Sequence, residues 1–237
     1  MTARARSEAW SMTRAAIHLA AALLVLCAHG PVRAEEEFEH TAVRLEQNVS
    51  DKDVEVVFEA TSDKAGMRAL SIVAPDGRTV VRHRSPDSRL GIRHFTFESP
   101  ELRNDGRVQK DFPEGEYTFT GITVTGDMLR GSASLSHKLP QAPTVMQPRP
   151  EAKGLPVDGL QIRWNAMKDL AGVIVVVEHE PTNQKFSVTL PGTATAFTVP
   201  SGFLRPGMEY KLAIGSMSRE GNLSFVETDF TTGARKK

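Results

Sequence analysis

Residues 112–119 read FPEGEYTF, and residues 204–212 read LRPGMEYKL. Each sets Pro and Gly just ahead of Glu-Tyr, and each tyrosine, Tyr117 or Tyr210, opens an alternating run. Pro fixes φ and Gly admits positive φ, so together they end one element and start another. Alternation after the Tyr is the period of a half-buried strand. The two tyrosines stand 93 positions apart, about one β-sandwich domain of ~100 residues. The echo therefore reads as one structural corner written twice, in two tandem modules, and not as a repeated binding motif.

Outward from LRPGMEYKL, strand-like runs recur at short intervals. They are LQIRW (160–164), GVIVVVEHE (172–180), KFSVTL (185–190), TAFTVP (195–200), EYKLAIGSMS (209–218) and LSFVETDFTT (223–232). With an edge strand around 143–147 they approach the roughly seven short strands of an immunoglobulin-like sandwich. Outward from FPEGEYTF lie VEVVFEA (54–60), MRALSIVA (67–74), RTVVRHR (78–84) and IRHFTFE (92–98). PDG at 75–77 and RNDGR at 103–107 are turn signals, and a last hairpin folds around Gly126-Asp127. No apolar i, i+3, i+4 pattern persists anywhere, so the chain is expected to be all-β, two tandem immunoglobulin-like β-sandwiches.

Between them, PQAPTVMQPRPEAKGLP (140–156) holds five Pro in 17 residues. Pro removes backbone donors, so this stretch reads as a linker that overlaps the first edge strand of the second module. The expected organisation is a sandwich over 38–139, a second over 142–233 and a short basic tail at 234–237.

The second module resembles a fibronectin type III domain. Trp164 ends LQIRW where that family sets its core Trp, LRPGMEYKLAI resembles the corner leading into its strand F, and SREGNLS resembles its F–G hairpin. The resemblance implies that Tyr210 bonds backbone a few residues upstream and that Trp164 packs in the core. Strand C usually offers a Tyr opposite the Trp; here GVIVVVEHE departs, and Ile174 or Val176 is expected to fill that space. The first module resembles the small immunoglobulin-like sandwiches of secreted bacterial proteins, with Tyr117 as its corner. The whole chain resembles bacterial exported proteins that pair such a module with a type III domain, and that implies no activity.

The first 34 residues stand apart. Arg4, Arg6 and Arg14 precede the apolar AAIHLAAALLVLCA (15–28), and Val32 and Ala34 are suited to a cleavage site. Charged flank, short apolar core and small-residue exit describe a secretory signal peptide. The run falls short of the roughly 20 residues that span a bilayer. Cys27 resembles a lipid-attachment cysteine, but Leu26 stands where Gly, Ala or Ser is needed, so a cleaved, unanchored chain is expected. Residues 35–237 then hold 25 basic and 28 acidic side chains and no cysteine. That excludes disulfides, thiolate nucleophiles and Cys-based zinc, and leaves no basic footprint for nucleic acid.

No set of residues announces catalysis. G-x-S-x-G and H-E-x-x-H are absent, and His40, His83, His94, His137 and His179 are scattered. In Glu178-His179-Glu180, adjacent strand residues point to opposite faces, which argues against a metal. Asp51, Asp53 and Asp63 lack the order of a calcium loop. No catalytic, cofactor or metal site is expected. The one notable charge feature is Arg78, Arg82, Arg84, Arg89 and Arg93 with His83 and His94, either a surface for an anionic partner or a charged strand face that discourages edge pairing. Asn48-Val49-Ser50 and Asn222-Leu223-Ser224 are glycosylation sequons, relevant only in a eukaryotic secretory pathway. The expected function is an exported, non-enzymatic binding, adhesion or spacer protein of the periplasm, envelope or exterior, its partner a protein or polysaccharide. The alternative is an accessory carbohydrate-binding module serving a separate hydrolase.

Overall fold

In the computed structural model the described residues are 35–62, 65–103 and 106–234. The leader (1–34), Asp63 and nearly all of the basic tail lie outside them. The first half contains β1 (Glu35–Glu37), β2 (His40–Asn48), β3 (Asp53–Thr61), β4 (Met67–Val73), β5 (Thr79–Arg84), β6 (His94–Glu98) and β7 (Leu102–Arg103). A one-turn helix α1 (Arg107–Asp111) follows, then β8 (Gly115–Thr123) and β9 (Met128–Leu135). The second half contains β10 (Val145–Gln147), β11 (Ala152–Leu155), β12 (Gln161–Trp164), β13 (Gly172–His179), β14 (Gln184–Pro191), β15 (Ala196–Thr198), β16 (Glu209–Met217) and β17 (Leu223–Thr232). A 3-10 turn at Glu180–Thr182 joins β13 to β14.

Alternation decides which face each strand buries. In β3 Val54, Val56, Phe58 and Ala60 point inward, meeting Val43 and Leu45 of β2 and Leu70, Ile72, Tyr117 and Phe119 of the opposing sheet. That opposing sheet runs β1-β9-β8-β4-β5. The second module packs β10-β12-β15 against β14-β13-β16-β17. Its core holds Ile162 and Trp164 on one side and Val173, Val175, Val177, Tyr210, Leu212, Ile214 and Phe230 on the other. Ile174 and Val176 are thus on the outer face, contrary to expectation: the register of β13 gives the space before Trp164 to the odd-numbered valines. The Trp164 indole N–H donates to the Ala194 carbonyl at 2.8 Å, satisfying the one polar group that burial would strand.

The chain departs from two beads on a string. β17 pairs in parallel with β2, so one sheet runs β14-β13-β16-β17-β2-β3-β6 through both modules. The far half of the same β17 edge is covered by β11, which sequence reading did not anticipate. An edge that would otherwise template aggregation is closed along its length. The Pro-rich stretch is docked: Ser216 Oγ donates to the Gln141 carbonyl at 2.7 Å and Ser224 Oγ to the Pro140 carbonyl at 2.9 Å. Proline lacks a donor but keeps its carbonyl, and Ser224 exploits that at Pro140. The described residues accordingly belong to one compact unit.

Candidate functional site

The two corners are built from the quoted stretches. Gly207 has φ +70°, a conformation that L side chains rarely adopt, and it turns the chain so that Tyr210 enters the core. The Tyr210 hydroxyl accepts the Arg205 N–H at 2.8 Å. The Tyr117 hydroxyl instead donates to the Pro113 carbonyl at 3.0 Å. The polarity differs for a local reason: the N–H five residues upstream, on Phe112, already caps α1 by donating to the Val108 carbonyl at 2.8 Å. Burial, with the nearby Asp76 carboxylate, pushes the Tyr117 phenol up to about 12. These are architectural tyrosines, and neither hydroxyl is turned out to a ligand.

The seam between modules centres on Asn222, only 1% exposed, in the turn of the β16–β17 hairpin. Its Oδ1 accepts the Leu45 N–H at 2.8 Å, and its Nδ2 donates to the carbonyls of Ser136 at 2.7 Å and Lys138 at 3.1 Å. Both ends of the amide are therefore spent, and the sequon Asn222-Leu223-Ser224 offers no accessible acceptor in the folded chain. Ser50 Oγ accepts the Glu227 N–H at 2.9 Å, and Val49 N–H donates to the Phe225 carbonyl at 2.9 Å.

The outer face of the shared sheet is acidic. A hollow of about 280 Å³ crosses the seam, floored by Val176, Ala213 and Phe225; carboxylates of β2 and β3 wall it on the first-module side, and Lys185 and Lys211 stand beside Glu178 and Glu227 on the second-module side. Arg44 bridges Glu46 at 2.6 Å and Glu59 at 2.9 Å. Burial holds the Glu46 carboxyl above its usual range despite Arg44. Burial also raises the Glu55 carboxyl to about 7, reinforced by the charges of Glu46, Glu98, Glu101 and Asp53. Sequence reading missed this face because β2 was not recognised as a strand, so Glu46 and Glu55 had no common surface.

The basic cluster is only partly assembled. Arg78 is tied to Asp76 at 2.7 Å and to the Asp111 carbonyl at 2.7 Å, and Arg89 to Asp87 at 2.8 Å. Those hydrogen bonds hold Asp76 and Asp87 below the usual carboxylate range. Arg82 and Arg84 stand exposed side by side on β5, the outer strand of its sheet. Arg93 is engaged in contacts of its own and precedes β6 in the opposite sheet. His83 turns inward onto Phe95, ring centroids 4.8 Å apart, and His94 sits between Thr61 and Thr96 hydroxyls. Among the described residues Arg82 and Arg84 form no ion pair, and they are the exposed cationic pair of the cluster.

The remaining histidines also have structural partners. His179 Nδ1 bonds the Glu209 carbonyl at 2.9 Å, His137 Nε2 the Phe112 carbonyl at 2.8 Å, and His40 lies 3.7 Å from Glu59. Glu178 and Glu180 are drawn to Lys185 and Lys211. Among the described residues no group of three or more His, Asp or Glu is arranged to hold a metal, and no helix is long and apolar enough to cross a membrane.

No protein-family model matches the chain, and no curated protein matches it. Solved structures do. The fibronectin(III)-like modules of Clostridium thermocellum CbhA match at 9% identity over 83% of this chain and 93% of that one, with TM-score 0.33. The chicken CNTN1 FN1–FN3 domains match at 12% over 85% and 68%, with TM-score 0.34. A two-domain fibronectin type III segment of chicken tenascin matches at 13% over 83% and 100%, with TM-score 0.32. Three strands facing four, with the Tyr210 corner leading into β16, make residues 145–232 a fibronectin type III-like sandwich.

Proposed function

We propose that the chain is an exported, non-catalytic binding and spacing protein of the cell envelope or the space outside it, its leader removed after Ala34. The observation that carries this reading is the seam: β2–β17 pairing and the triply bonded Asn222 turn two sandwiches into one unit. A scaffold that fixes the distance and direction between its ends serves spacing, and an enzyme would need converging acid, base or nucleophile groups. Every histidine of residues 35–237 is instead placed against backbone, hydroxyl, carboxylate or ring partners.

Arg82 and Arg84 belong to the same proposal as the contact point for an acidic envelope protein or an anionic polysaccharide. Guanidinium groups on an exposed strand suit carboxylate and phosphate recognition. The accessory carbohydrate-binding reading draws no support from the aromatic side chains, since Trp164, Tyr117 and Tyr210 are all buried. The test is affinity capture by the chain in its native extract, with the retained molecules identified, run beside the Arg82→Glu/Arg84→Glu double variant. Retention of an acidic partner by the parent and its loss from the variant is the expected result. Equal retention by both chains removes the arginine surface from the proposal, and turnover of any retained molecule removes the non-catalytic reading.

A further inference from the structure

The sheet β1-β9-β8-β4-β5 ends in strands of opposite charge. β1 is Glu35-Glu36-Glu37 and β5 closes with Arg82-His83-Arg84, its arginines and all three glutamates exposed. No described strand lies beyond either one, so each carries unpaired backbone groups on its outer side. Register puts the charges on one face. Glu35 and Glu37 stand level with Met128 and Arg130, on either side of buried Leu129. Arg82 and Arg84 stand level with Ser71 and Ala69, on either side of buried Leu70. Successive side chains alternate between faces, so all four point away from the core.

The backbone matches as well. The Phe38 N–H donates to the Arg130 carbonyl at 3.1 Å, and the Ser85 N–H donates to the Arg68 carbonyl at 2.8 Å. Bonding direction alternates along a strand, so Glu36 faces β9 and His83 faces β4. The N–H and C=O groups of Glu35, Glu37, Arg82 and Arg84 therefore point off the two edges. β1 runs parallel to β9, and the antiparallel steps from β9 through β8 and β4 leave β5 running against β1.

Resting on the reading of Arg82 and Arg84 as a contact surface, we propose that their acidic partner is a second copy of this chain, whose β1 adds antiparallel to β5 and continues the sheet. Setting Glu37 opposite Arg82 sets Glu36 opposite His83 and Glu35 opposite Arg84, with outward backbone groups facing outward backbone groups. Opposite charges stabilise such cross-strand pairs, and like charges disfavour β5 on β5 or β1 on β1. Glu35 is shared with Arg130 of its own chain, whereas Glu37 forms no ion pair among the described residues. His83 Nε2 is buried without a hydrogen-bond partner, and Glu36 of the incoming strand arrives on its side of the sheet. A contact between two different edges does not close on itself, and sheet twist rotates each copy, so the product is an open helical row.

Sedimentation velocity of the chain with its leader removed, over a concentration series, tests this. Species should grow past the dimer as concentration rises and shrink with added salt. Arg82→Glu/Arg84→Glu and Glu35→Lys/Glu37→Lys should each weaken association by about tenfold or more while keeping the parent's circular dichroism spectrum. An equimolar mixture of the two variants should associate again, because a Glu edge then meets an Arg edge and a Lys edge meets a Glu edge. A parent monomeric at every concentration, growth that stops at the dimer, or a mixture no more associated than its components overturns the second copy as partner. The arginine surface fails separately, when affinity capture retains the same molecules on the parent and on Arg82→Glu/Arg84→Glu.

Discussion

Asn222 and Leu45, 177 positions apart, are joined by a hydrogen bond of 2.8 Å from the Leu45 backbone N–H to the Asn222 side-chain oxygen. β2 has one free edge at this point, and β17 cannot supply a ladder partner until Leu223 pairs with Glu46. The amide of Asn222 therefore stands in for the backbone where the two strands first meet. Its nitrogen also fixes the chain leaving the first module, through Ser136 and Lys138.

Asn222→Ala should lower the free energy of unfolding by about 2–4 kcal/mol, because it strands one buried donor and two carbonyls. Asn222→Asp keeps the acceptor for Leu45 but sets a carboxylate against two carbonyl oxygens. Its deficit should be large at neutral pH and shrink in acid, where a protonated carboxyl again donates. Chemical denaturation of the three chains checks both expectations. An alanine variant as stable as the parent would mean that the seam contributes nothing to the unit.

At the corners, Tyr210→Phe leaves the Arg205 N–H without its acceptor and should cost about 0.5–1.5 kcal/mol. Tyr117→Phe should cost a similar amount, because it removes the donor to the Pro113 carbonyl. The two corners stand in separate modules, so the double variant should be additive to within about 0.5 kcal/mol. Thermal or denaturant midpoints settle it. Strong non-additivity would show that the corners communicate through the seam.

How much of this was legible in the sequence depended on whether the cause was local. The PDG hairpin, the Gly126-Asp127 turn and the Tyr-led strands are written in a few adjacent residues, and the structure has strands at each of those places. β2 escaped notice because HTAVRLEQN alternates only through Val43 and Leu45, among charged and polar neighbours. The same polar residues build the acidic face, so missing the strand also hid the face. Asn222 offered only a sequon, because the partners of its side-chain amide lie 84 or more positions away. The partial dismantling of the basic cluster was within reach: Asp76 and Asp87 each precede an arginine by two positions, the spacing of the ion pairs that form.

On β16, Gly215 lies under the ring of Phe225, its cross-strand partner, and a Cβ at this position would meet the ring atoms. Gly215→Ala should therefore push Phe225 off the sheet and cost about 1–3 kcal/mol, the usual range for an overpacked site. Phe225→Leu should relieve much of that cost, so the double variant should be more stable than the sum of its parts predicts. A double-mutant cycle by denaturation measures the coupling. A tolerated Gly215→Ala would show that the ring has room to shift. Because Phe225 pairs with Asn48 at the seam, its displacement should also speed exchange at Val49.

The last prediction concerns alkaline pH. The sequence holds two tyrosines, and the Tyr117 phenol is pushed up to about 12, chiefly by burial and secondarily by Asp76, with Arg78 opposing. An unfolded chain would release that proton near 10, so the fold favours the neutral phenol. The stabilisation is complete below the unfolded value and is lost as pH rises through the folded one. Spectrophotometric titration of phenolate absorbance should show a component that appears only as the protein unfolds, in one cooperative step. Tyr117→Phe should abolish that component and leave whatever Tyr210 contributes. A Tyr117 that ionises reversibly near 10 in a chain still folded by circular dichroism would place its hydroxyl in water, and the first module would then lack its corner.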